Sequence, residues 1–448
     1  MIPGCIKKIL ITIIFLLIAV WGWWPQIAGA DDTADAKPSA IQKLNDGFSA
    51  DLRILTYGIV QEPVKSSQNP DNNFLQLPHY IADLEIRPDF RLDLNFLELS
   101  VKPRAKLEYQ KWEEGSRRGE TQSTDDWYVN EWLVRLKARE NLFVSYGREN
   151  LQWGPSFLFS PSNPFFRDNG RSNPYMEVPG MEFGRLVFIP HSLWTMSFIA
   201  NTDEGRNTTL GPDPFENTYA LKVDYTGREN YASVILSQKN NKNTLGFFGG
   251  WTISDAVLLY GEGSLTQGSN ALYPQKDISP LGASMQKIHQ DDSDIKPIIL
   301  IGGSYTLEDS GTFSLEYTYN APGYNNDEAE IYYALRRNGA TAFNMGGMAG
   351  ALGQLTLAQT MNPGLRFLRK NYAMLQYSQN NIQNKFDLTL RFTQNLDDSS
   401  GQFLALLSYS LGNHLELFSS GMINSGGKDT EFGSTLDYQL MFGLKYTL

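Results

Sequence analysis

The sequence predicts an all-β chain that forms a closed, antiparallel transmembrane β-barrel of about 18 strands. Three observations favour this fold class: a two-residue alternation of apolar and polar side chains, a regular alternation of short and long connections, and an N-terminal segment typical of export. The alternation is clearest at the C-terminus, in the apolar series Leu436, Tyr438, Leu440, Phe442, Leu444, Tyr446 and Leu448. Because successive side chains of a strand point to opposite faces, this segment has one apolar face and one mostly polar face.

The N-terminus has the three parts of a secretory signal peptide. Lys7 and Lys8 form a positive region, residues 9–24 are apolar, and Ala28-Gly29-Ala30 is a small-residue cleavage site. The alternative is a membrane anchor, but the apolar run is short for a spanning helix. We therefore predict a cleaved signal over 1–30, a short periplasmic segment over 31–46 and a barrel over 47–448. The only cysteine, Cys5, would leave with the signal, which excludes disulfides in the mature chain.

Composition narrows the class further. The formal net charge is −11, and removal of two lysines with the signal makes it more negative, so nucleic acid is excluded as a partner. Aromatic residues make up 12% of the chain although charged residues make up 19%. A barrel accommodates both, because only alternate residues of its strands meet lipid. A secreted, soluble β-protein is the alternative that composition leaves open.

Reading for alternation bounded by turn residues gives eighteen strands. They are 47–57, 80–94, 98–112, 127–138, 142–151, 181–189, 192–201, 217–226, 230–239, 243–252, 256–265, 297–307, 312–321, 371–380, 385–395, 401–410, 414–423 and 434–447. Tight turns alternate with longer loops, which are 58–79, 113–126, 152–180, 202–216, 266–296, 322–370 and 424–433. Outer-membrane barrels have short periplasmic turns and long external loops, so an even strand number places both termini in the periplasm.

The last six residues, Gly443-Leu444-Lys445-Tyr446-Thr447-Leu448, resemble the assembly signal of Gram-negative outer-membrane barrels, with Leu448 in place of the commoner final Phe. The whole chain resembles porins in architecture, and its size and loop pattern resemble the 18-stranded alginate-export-type porins. This resemblance implies a channel for a polar solute or saccharide, with export of a polysaccharide as one use. It also implies contact with outer-membrane lipid and lipopolysaccharide, and with the barrel assembly machinery through the C-terminal strand. No substrate-binding motif of that family is matched.

Strand parity predicts which charged side chains line the lumen. The pore-lining candidates are Lys102, Arg104, Lys106, Glu108, Glu131, Arg135, Lys137, Lys222, Asp224, Glu316, Asp387 and Arg391. Both signs are present in near balance, as expected for any water-filled barrel. A second interpretation is that the basic residues between 102 and 137 form a positive track that attracts anions.

Two long loops are candidates for narrowing the pore. Loop 152–180 is rich in proline and aromatic residues, and its constriction candidates are Trp153, Phe165, Phe166, Arg167 and Arg171. We expect it to fold into the lumen, because so many aromatics are unfavourable in water; the alternative is a cap on the rim. Loop 322–370 contains a predicted helix over 326–337, followed by a Gly/Ala/Met-rich part over 339–360 of flexible composition. That part is a lid, a plug or a mobile external loop, and the sequence does not distinguish these alternatives.

Enzyme chemistry has no support in the sequence. The four histidines, His79, His191, His289 and His414, are scattered, and neither a G-x-S-x-G nor an H-E-x-x-H motif occurs. The acidic run at Asp291, Asp292 and Asp294 lacks the glycine and terminal glutamate of a hand-type calcium loop. We therefore predict no cofactor and no metal. The predicted function is a loop-gated channel, and the alternative is a non-conducting surface barrel that binds or anchors an extracellular polysaccharide.

Overall fold

The computed structural model of the protein describes residues 40–166, 169–207, 214–239 and 241–448. The predicted signal peptide and Arg167 lie outside these ranges. The chain divides into an N-terminal unit, Met1–Asp46, and a second unit, Gly47–Leu448. The described part of the first unit is a short helix, α1 (Ala40–Gly47).

The second unit is an 18-stranded antiparallel sheet. Its strands are β1 (Phe48–Pro63), β2 (Tyr80–Asp93), β3 (Leu97–Lys111), β4 (Thr121–Arg139), β5 (Leu142–Glu149), β6 (Met181–His191), β7 (Trp194–Asp203), β8 (Thr218–Thr226), β9 (Asn230–Lys239), β10 (Lys242–Ser254), β11 (Val257–Gln267), β14 (Ile295–Thr306), β15 (Thr312–Asn320), β16 (Asn371–Ile382), β17 (Phe386–Asn395), β18 (Gly401–Leu411), β19 (Leu415–Ser425) and β20 (Leu436–Thr447). Each overlaps one predicted strand, so the predicted strand count is confirmed.

The remaining elements lie in the long connections. A separate hairpin, β12 (Tyr273–Lys276) with β13 (Ala283–Gln286), occupies the β11–β14 connection. Two helices, α2 (Asn326–Met345) and α3 (Gly347–Met361), occupy the β15–β16 connection. Short 3₁₀ turns lie at Pro70–Asn72 and Phe432–Ser434.

The sheet closes on itself. Each strand pairs with its neighbour along the chain, and β1 also pairs with β20 in an antiparallel register that sets Arg53 opposite Thr447 and Val60 opposite Leu440. A closed sheet has no unpaired edge, which is the condition for crossing hydrocarbon with strands.

Strand β15 shows how the two faces of the barrel differ. Phe313, Leu315, Tyr317 and Tyr319 are exposed on the outside, whereas Ser314, Glu316, Thr318 and Asn320 are buried. Leu315 is 60% exposed and its neighbour Glu316 is 1% exposed. This is the reverse of a soluble protein, and it matches an apolar outer surface in lipid around a polar interior.

One sequence expectation about the loops is wrong. The segment 339–360, expected to be flexible, is helical, because α2 continues to Met345 and α3 follows it. The reason is close helix packing: a Cβ at Gly353 would lie 2.3 Å from the backbone nitrogen of Phe343, so glycine lets the two helices approach. Within the described residues, neither helix nor any other is long and apolar enough to cross a bilayer.

Candidate functional site: a loop across the lumen

The connection between β5 and β6, residues 150–180 and hereafter the crossing loop, is held by two buried carboxylates on the inner wall. Glu262 of β11 accepts hydrogen bonds from Ser160 Oγ, from Ser162 through its backbone nitrogen at 3.2 Å and its Oγ at 2.7 Å, and from Ser156 N at 3.4 Å. Glu316 of β15 accepts from Phe157 N at 2.8 Å. Because hydrogen bonds to a charged acceptor are strong, these two glutamates fix this part of the crossing loop.

One glycine makes this approach possible. Gly154 has a φ of +86°, and a Cβ at this position would lie 2.3 Å from a carboxylate oxygen of Glu262. A side chain here would therefore meet both an unfavourable backbone conformation and a clash. Glycine at 154 is required for the crossing loop to reach β11.

Aromatic side chains anchor the next part of the crossing loop to another wall. Phe165 and Phe166 are buried against inward side chains of β6 to β9, including Phe183, Ile199 and Ile235. The ring centroids of Phe165 and Phe183 are 5.0 Å apart, in an edge-to-face arrangement. These two candidates are therefore wall anchors and do not line an open passage.

An arginine folds the loop back on itself. Arg171 donates to the carbonyl oxygens of Pro155 at 2.7 Å, Ser156 at 2.6 Å and Gly154 at 3.1 Å. Arg391 of β17 donates in turn to Ser172 Oγ at 3.2 Å. Arg171 is thus a structural clamp rather than a free charge.

The last part of the crossing loop binds strands on the other side of the barrel, β3 and β19. Glu177 forms a bidentate pair with Arg104 of β3, with both N···O distances at 2.7 Å. Burial alone would raise the pKa of the Glu177 carboxyl, but the Arg104 guanidinium lowers it below its ordinary value. The Tyr175 ring stacks on Phe418 of β19 at 3.8 Å, and its hydroxyl donates to Glu416 at 2.9 Å.

These contacts carry the loop through the middle of the barrel. Arg104 and Glu316 both lie near the centres of their strands. Their strands, β3 and β15, are separated by nine strands in one direction around the ring and seven in the other. A loop bound to both walls at this height must cross the lumen.

A cavity of about 380 Å³ lies beside the Tyr175 end of the crossing loop. Its charged and aromatic lining comprises Arg53, Arg87, Tyr175, Asp387, Glu416 and Lys445. The charges are largely compensated: Lys445 pairs with Glu416 at 2.6 Å, and Arg53 pairs with Asp89. The cavity therefore has charged side chains of both signs, together with apolar ones such as Leu55 and Leu406, and no strong field of one sign.

The predicted pore-lining bases of β3 and β4 are also compensated. Each forms a salt bridge within the described part of the chain: Lys102 with Glu131 at 3.0 Å, Arg104 with Glu177, Lys106 with Glu108 at 2.7 Å, Arg135 with Glu98 at 2.8 Å, and Lys137 with Asp93 at 2.5 Å. Neighbouring acids thus neutralise the positive track considered from the sequence.

The other pore-lining candidates lie on different strands and have different contacts. Lys222 and Asp224 pair with each other on β8, and the Lys222 Nζ lies 5.4 Å from the Trp153 ring centroid. Asp387 lines the 380 Å³ cavity, whereas Glu316 and Arg391 hold the crossing loop. The sequence reasoning missed Glu262, Arg53, Arg87 and Glu416. Strand parity applied to β1, β2, β11 and β19 was the signal that could have found them.

The helical hairpin of α2 and α3, residues 326–361 and hereafter the cap, lies over the long-loop end. Its contacts reach the β1–β2 connection, where the rings of Phe343 and Phe74 are 5.9 Å apart, and the β11–β14 connection, where Asn338 donates to the Leu281 carbonyl at 2.9 Å. Nine strands separate β1 from β11 in one direction and seven in the other. The cap therefore extends across the barrel mouth.

One group of described residues has the spacing of metal ligands. Single ligand atoms of Glu62, His79 and Glu114 lie within 4.8 Å of one another. However, His79 Nδ1 accepts a hydrogen bond from Glu113 N at 3.1 Å, so the neutral ring carries its proton on Nε2 and offers no free lone pair. Glu114 also pairs with Lys65 at 2.7 Å. This group fits a hydrogen-bonded ionic cluster better than a metal centre.

No protein-family model matches this chain, and no curated protein matches it in sequence. Solved structures do match it in fold. The outer membrane protein OprD from Pseudomonas aeruginosa aligns with a TM-score of 0.54 at 9% identity, over 90% of this chain and 94% of that chain. OccK11 (OpdR) from Pseudomonas aeruginosa aligns at 0.51 and 13% identity, over 90% and 96%. OccAB1 from Acinetobacter baumannii aligns at 0.54 and 11%, also over 90% and 96%.

At these identities the likeness concerns the fold, a closed 18-stranded porin-type barrel. The narrower resemblance to alginate-export-type porins receives no support from these matches, which are to OprD and Occ proteins.

Proposed function

We propose that this protein is an outer-membrane channel through which small polar solutes diffuse, with the crossing loop as its constriction. The observation that carries the proposal is that the crossing loop binds both walls at mid-height and leaves a polar cavity of about 380 Å³ beside Tyr175. An 18-stranded barrel is too wide for side chains alone to fill, so a loop in the lumen decides what passes.

The charge arrangement supports diffusion rather than tight binding. Arg53, Arg87 and Lys445 provide donors on the cavity wall, and Asp387 and Glu416 provide acceptors. Paired charges of both signs make weak, exchangeable contacts with a solute, which favours entry without trapping it. This arrangement requires no bond-making chemistry, which agrees with the lack of any catalytic motif.

The proposal includes a location and an orientation. The apolar outer face supports contact with outer-membrane lipid and lipopolysaccharide, and we propose that the short-turn end, with both termini, faces the periplasm. The strand that closes the ring, β20, is the segment offered to the barrel assembly machinery.

Gating is assigned to the two loops in different ways. The crossing loop sets the minimum width, and the cap across the mouth controls access to it. Movement of the cap would open or close the channel without disturbing the strands, because the cap is joined to β15 and β16 only by connecting segments.

The test is single-channel recording of the purified chain in a planar bilayer, with solute passage measured by liposome swelling. We expect discrete openings, weak ion selectivity, and faster entry of monosaccharides and amino acids than of tetrasaccharides. A barrel that inserts but conducts nothing, with the cap present or deleted, would contradict the proposal.

A second candidate function is a sealed surface barrel that binds or anchors an extracellular polysaccharide. The cap across the mouth is the observation that favours it. Retention of the chain on immobilised polysaccharide, without conductance, would support this candidate.

Export of a polysaccharide through an open lumen is the third candidate function. It requires a polymer to pass through the lumen, and the crossing loop at its present position obstructs that passage.

A further inference from the structure

Helix α2 contains a buried cation, Arg336, that leaves part of its hydrogen-bonding capacity unused. Arg336 is 1% exposed, and its Nε and Nη2 atoms have no hydrogen-bond partner among the described residues. In the same part of the chain, Arg336 forms no salt bridge. A guanidinium out of water, with idle N–H groups, is costly unless an acceptor is supplied.

The immediate neighbours of Arg336 are aromatic. The guanidinium carbon lies 5.5 Å from the ring centroid of Tyr332 and 5.4 Å from that of Tyr333. The Tyr332 hydroxyl donates to the Thr360 carbonyl at 2.6 Å, whereas the buried Tyr333 hydroxyl has no partner. The rings stabilise the positive charge but leave the N–H groups of Nε and Nη2 without acceptors.

Arg336 lines a cavity of about 240 Å³ between α2, the segment after α3 and the β19–β20 connection. Other lining residues are Gln68, Tyr332, Arg366, Leu368, Glu431 and Thr435. The cavity is large enough for a tetrahedral or planar oxyanion next to the guanidinium. A second arginine, Arg366, lies on its wall.

We infer that this cavity is a binding site for a small oxyanion, a sulfate, phosphate or carboxylate group, held by the Arg336 guanidinium. The bound group would supply the missing acceptors and connect α2 to segments 363–368 and 431–435. The site belongs to the cap, so the inference does not depend on whether the barrel conducts.

Glu431 makes the site sensitive to pH. Burial raises the pKa of this carboxyl to about 7, although Leu368 N, the Tyr372 hydroxyl and Asn395 donate hydrogen bonds to it. The other titratable or charged groups that face Glu431 or share its cavity are Asp398, Tyr332, Tyr333, Arg336 and Arg366. A protonated Glu431 removes a negative charge from the cavity wall, so an oxyanion should bind more tightly as the pH falls through 7.

The test uses the full barrel in detergent, with sulfate added at constant ionic strength. Sulfate binding is measured by titration calorimetry and by protection of the cap from limited proteolysis. We expect saturable binding to the wild type and, because a charged acceptor pair is lost, at least about tenfold weaker binding to Arg336→Gln. Arg337→Gln is the matched control, because Arg337 is exposed and pairs with Asp429 at 2.6 Å outside the cavity.

A third variant keeps the test informative if Arg336→Gln folds poorly. Arg336→Met should protect the cap better than wild type without sulfate, because it removes the unpaired charge, and should show no response to sulfate. Wild type without saturable binding, or Arg336→Met that responds as wild type does, would overturn the inference.

Two further arms define the ligand. Sulfate keeps its charge between about pH 6 and pH 8, so a change in its affinity over this range reflects titration of the protein. We expect several-fold tighter binding of sulfate at the lower pH. Loss of this difference in Glu431→Gln would assign the pH dependence to Glu431. Equal affinity at both values contradicts the role of Glu431.

Cap protection in lipopolysaccharide vesicles without added sulfate identifies a lipid phosphate as the source, whereas protection that requires sulfate identifies a free anion.

Discussion

The two long loops of this barrel are held in different ways. The crossing loop is bound through buried ionic and hydrogen-bonded contacts to three strands, at Glu262 of β11, Glu316 of β15 and Arg104 of β3. The cap is built from two helices packed on each other, and α2 shares a buried apolar cluster with the β11–β14 connection, to which Tyr273 and Met285 contribute. Because the crossing loop is bound to the strands and the cap is bound to another loop, we expect the crossing loop to stay in place in the proposed channel while the cap moves.

The strongest test of this comparison is deletion. Replacement of residues 155–176 by a short Gly/Ser linker should raise single-channel conductance by about twofold or more, because the obstruction at mid-height is removed. Deletion of 326–361 should instead change the frequency of openings and leave the conductance of the open state nearly unchanged. Equal conductance changes in both deletions, measured in planar bilayers, would contradict the assignment of different roles.

The next test weakens one anchor. Glu262→Gln keeps the size of the side chain but presents an NH₂ group to the donors Ser160 and Ser162. We expect the crossing loop to lose about 2–4 kcal/mol of local stability, seen as faster hydrogen exchange over 155–163 and noisier open-channel current. Glu108→Gln is the control, because Glu108 pairs with Lys106 on the same inner wall and does not contact the crossing loop. Similar exchange in both variants would show that Glu262 is not an anchor.

A smaller effect is expected at the cavity itself. Tyr175→Ala removes the ring that stacks on Phe418 and widens the 380 Å³ cavity, so conductance should rise by roughly half. Tyr175→Phe keeps the ring and removes only the hydrogen bond to Glu416, so its conductance should stay close to that of the wild type. A Tyr175→Ala channel with unchanged conductance would place the solute path elsewhere.

The smallest effect concerns pH and the β19–β20 connection, residues 426–435, which lies beside the cap and contains Glu431. The pKa of Glu431 is about 7 in the folded protein, above the value of about 4.3 expected when this connection opens into water. A raised carboxyl pKa contributes stability that is complete below about pH 4.3 and is lost as the pH rises through 7. In sulfate-free buffer, attachment of the connection should therefore weaken by about 1–3 kcal/mol across this interval, measured as sensitivity of 426–435 to proteolysis. Glu431→Gln should show no such trend; a trend of equal size in that variant would assign it to another group.

The strands could be predicted because the environment imposes one rule on all of them. Lipid outside and polar contents inside demand opposite polarity on the two faces, and that demand appears in the sequence as a period of two, as in Phe386, Leu388, Leu390 and Phe392 of β17. The ends of strands were less predictable. Strand β4 begins at Thr121 rather than near Trp127, because strands can remain paired beyond the bilayer where both faces are polar.

The loops escaped prediction where long-range packing decides the local structure. Helix α3 contains three glycines, a composition unfavourable for an isolated helix, and it forms because Gly353 packs against the Phe343 backbone of α2. The hairpin of β12 and β13 has strands of only four residues, too short for periodicity to reveal. The roles of Glu262 and Arg171 depend on which wall the crossing loop reaches, and no local pattern encodes that distance.

The seam between β1 and β20 has a consequence for biogenesis. These partners are the first and last strands of the sheet, so the ring cannot close until every strand between them has been made. Until then the first and last strands each keep an unpaired edge of backbone N–H and C=O groups beside apolar side chains. These edges must be protected from pairing with other molecules and from pairing with each other in a wrong register. Deletion of the final hairpin, β19 and β20, would leave two strand edges without partners. The product should therefore aggregate or be degraded and should not persist as a smaller pore.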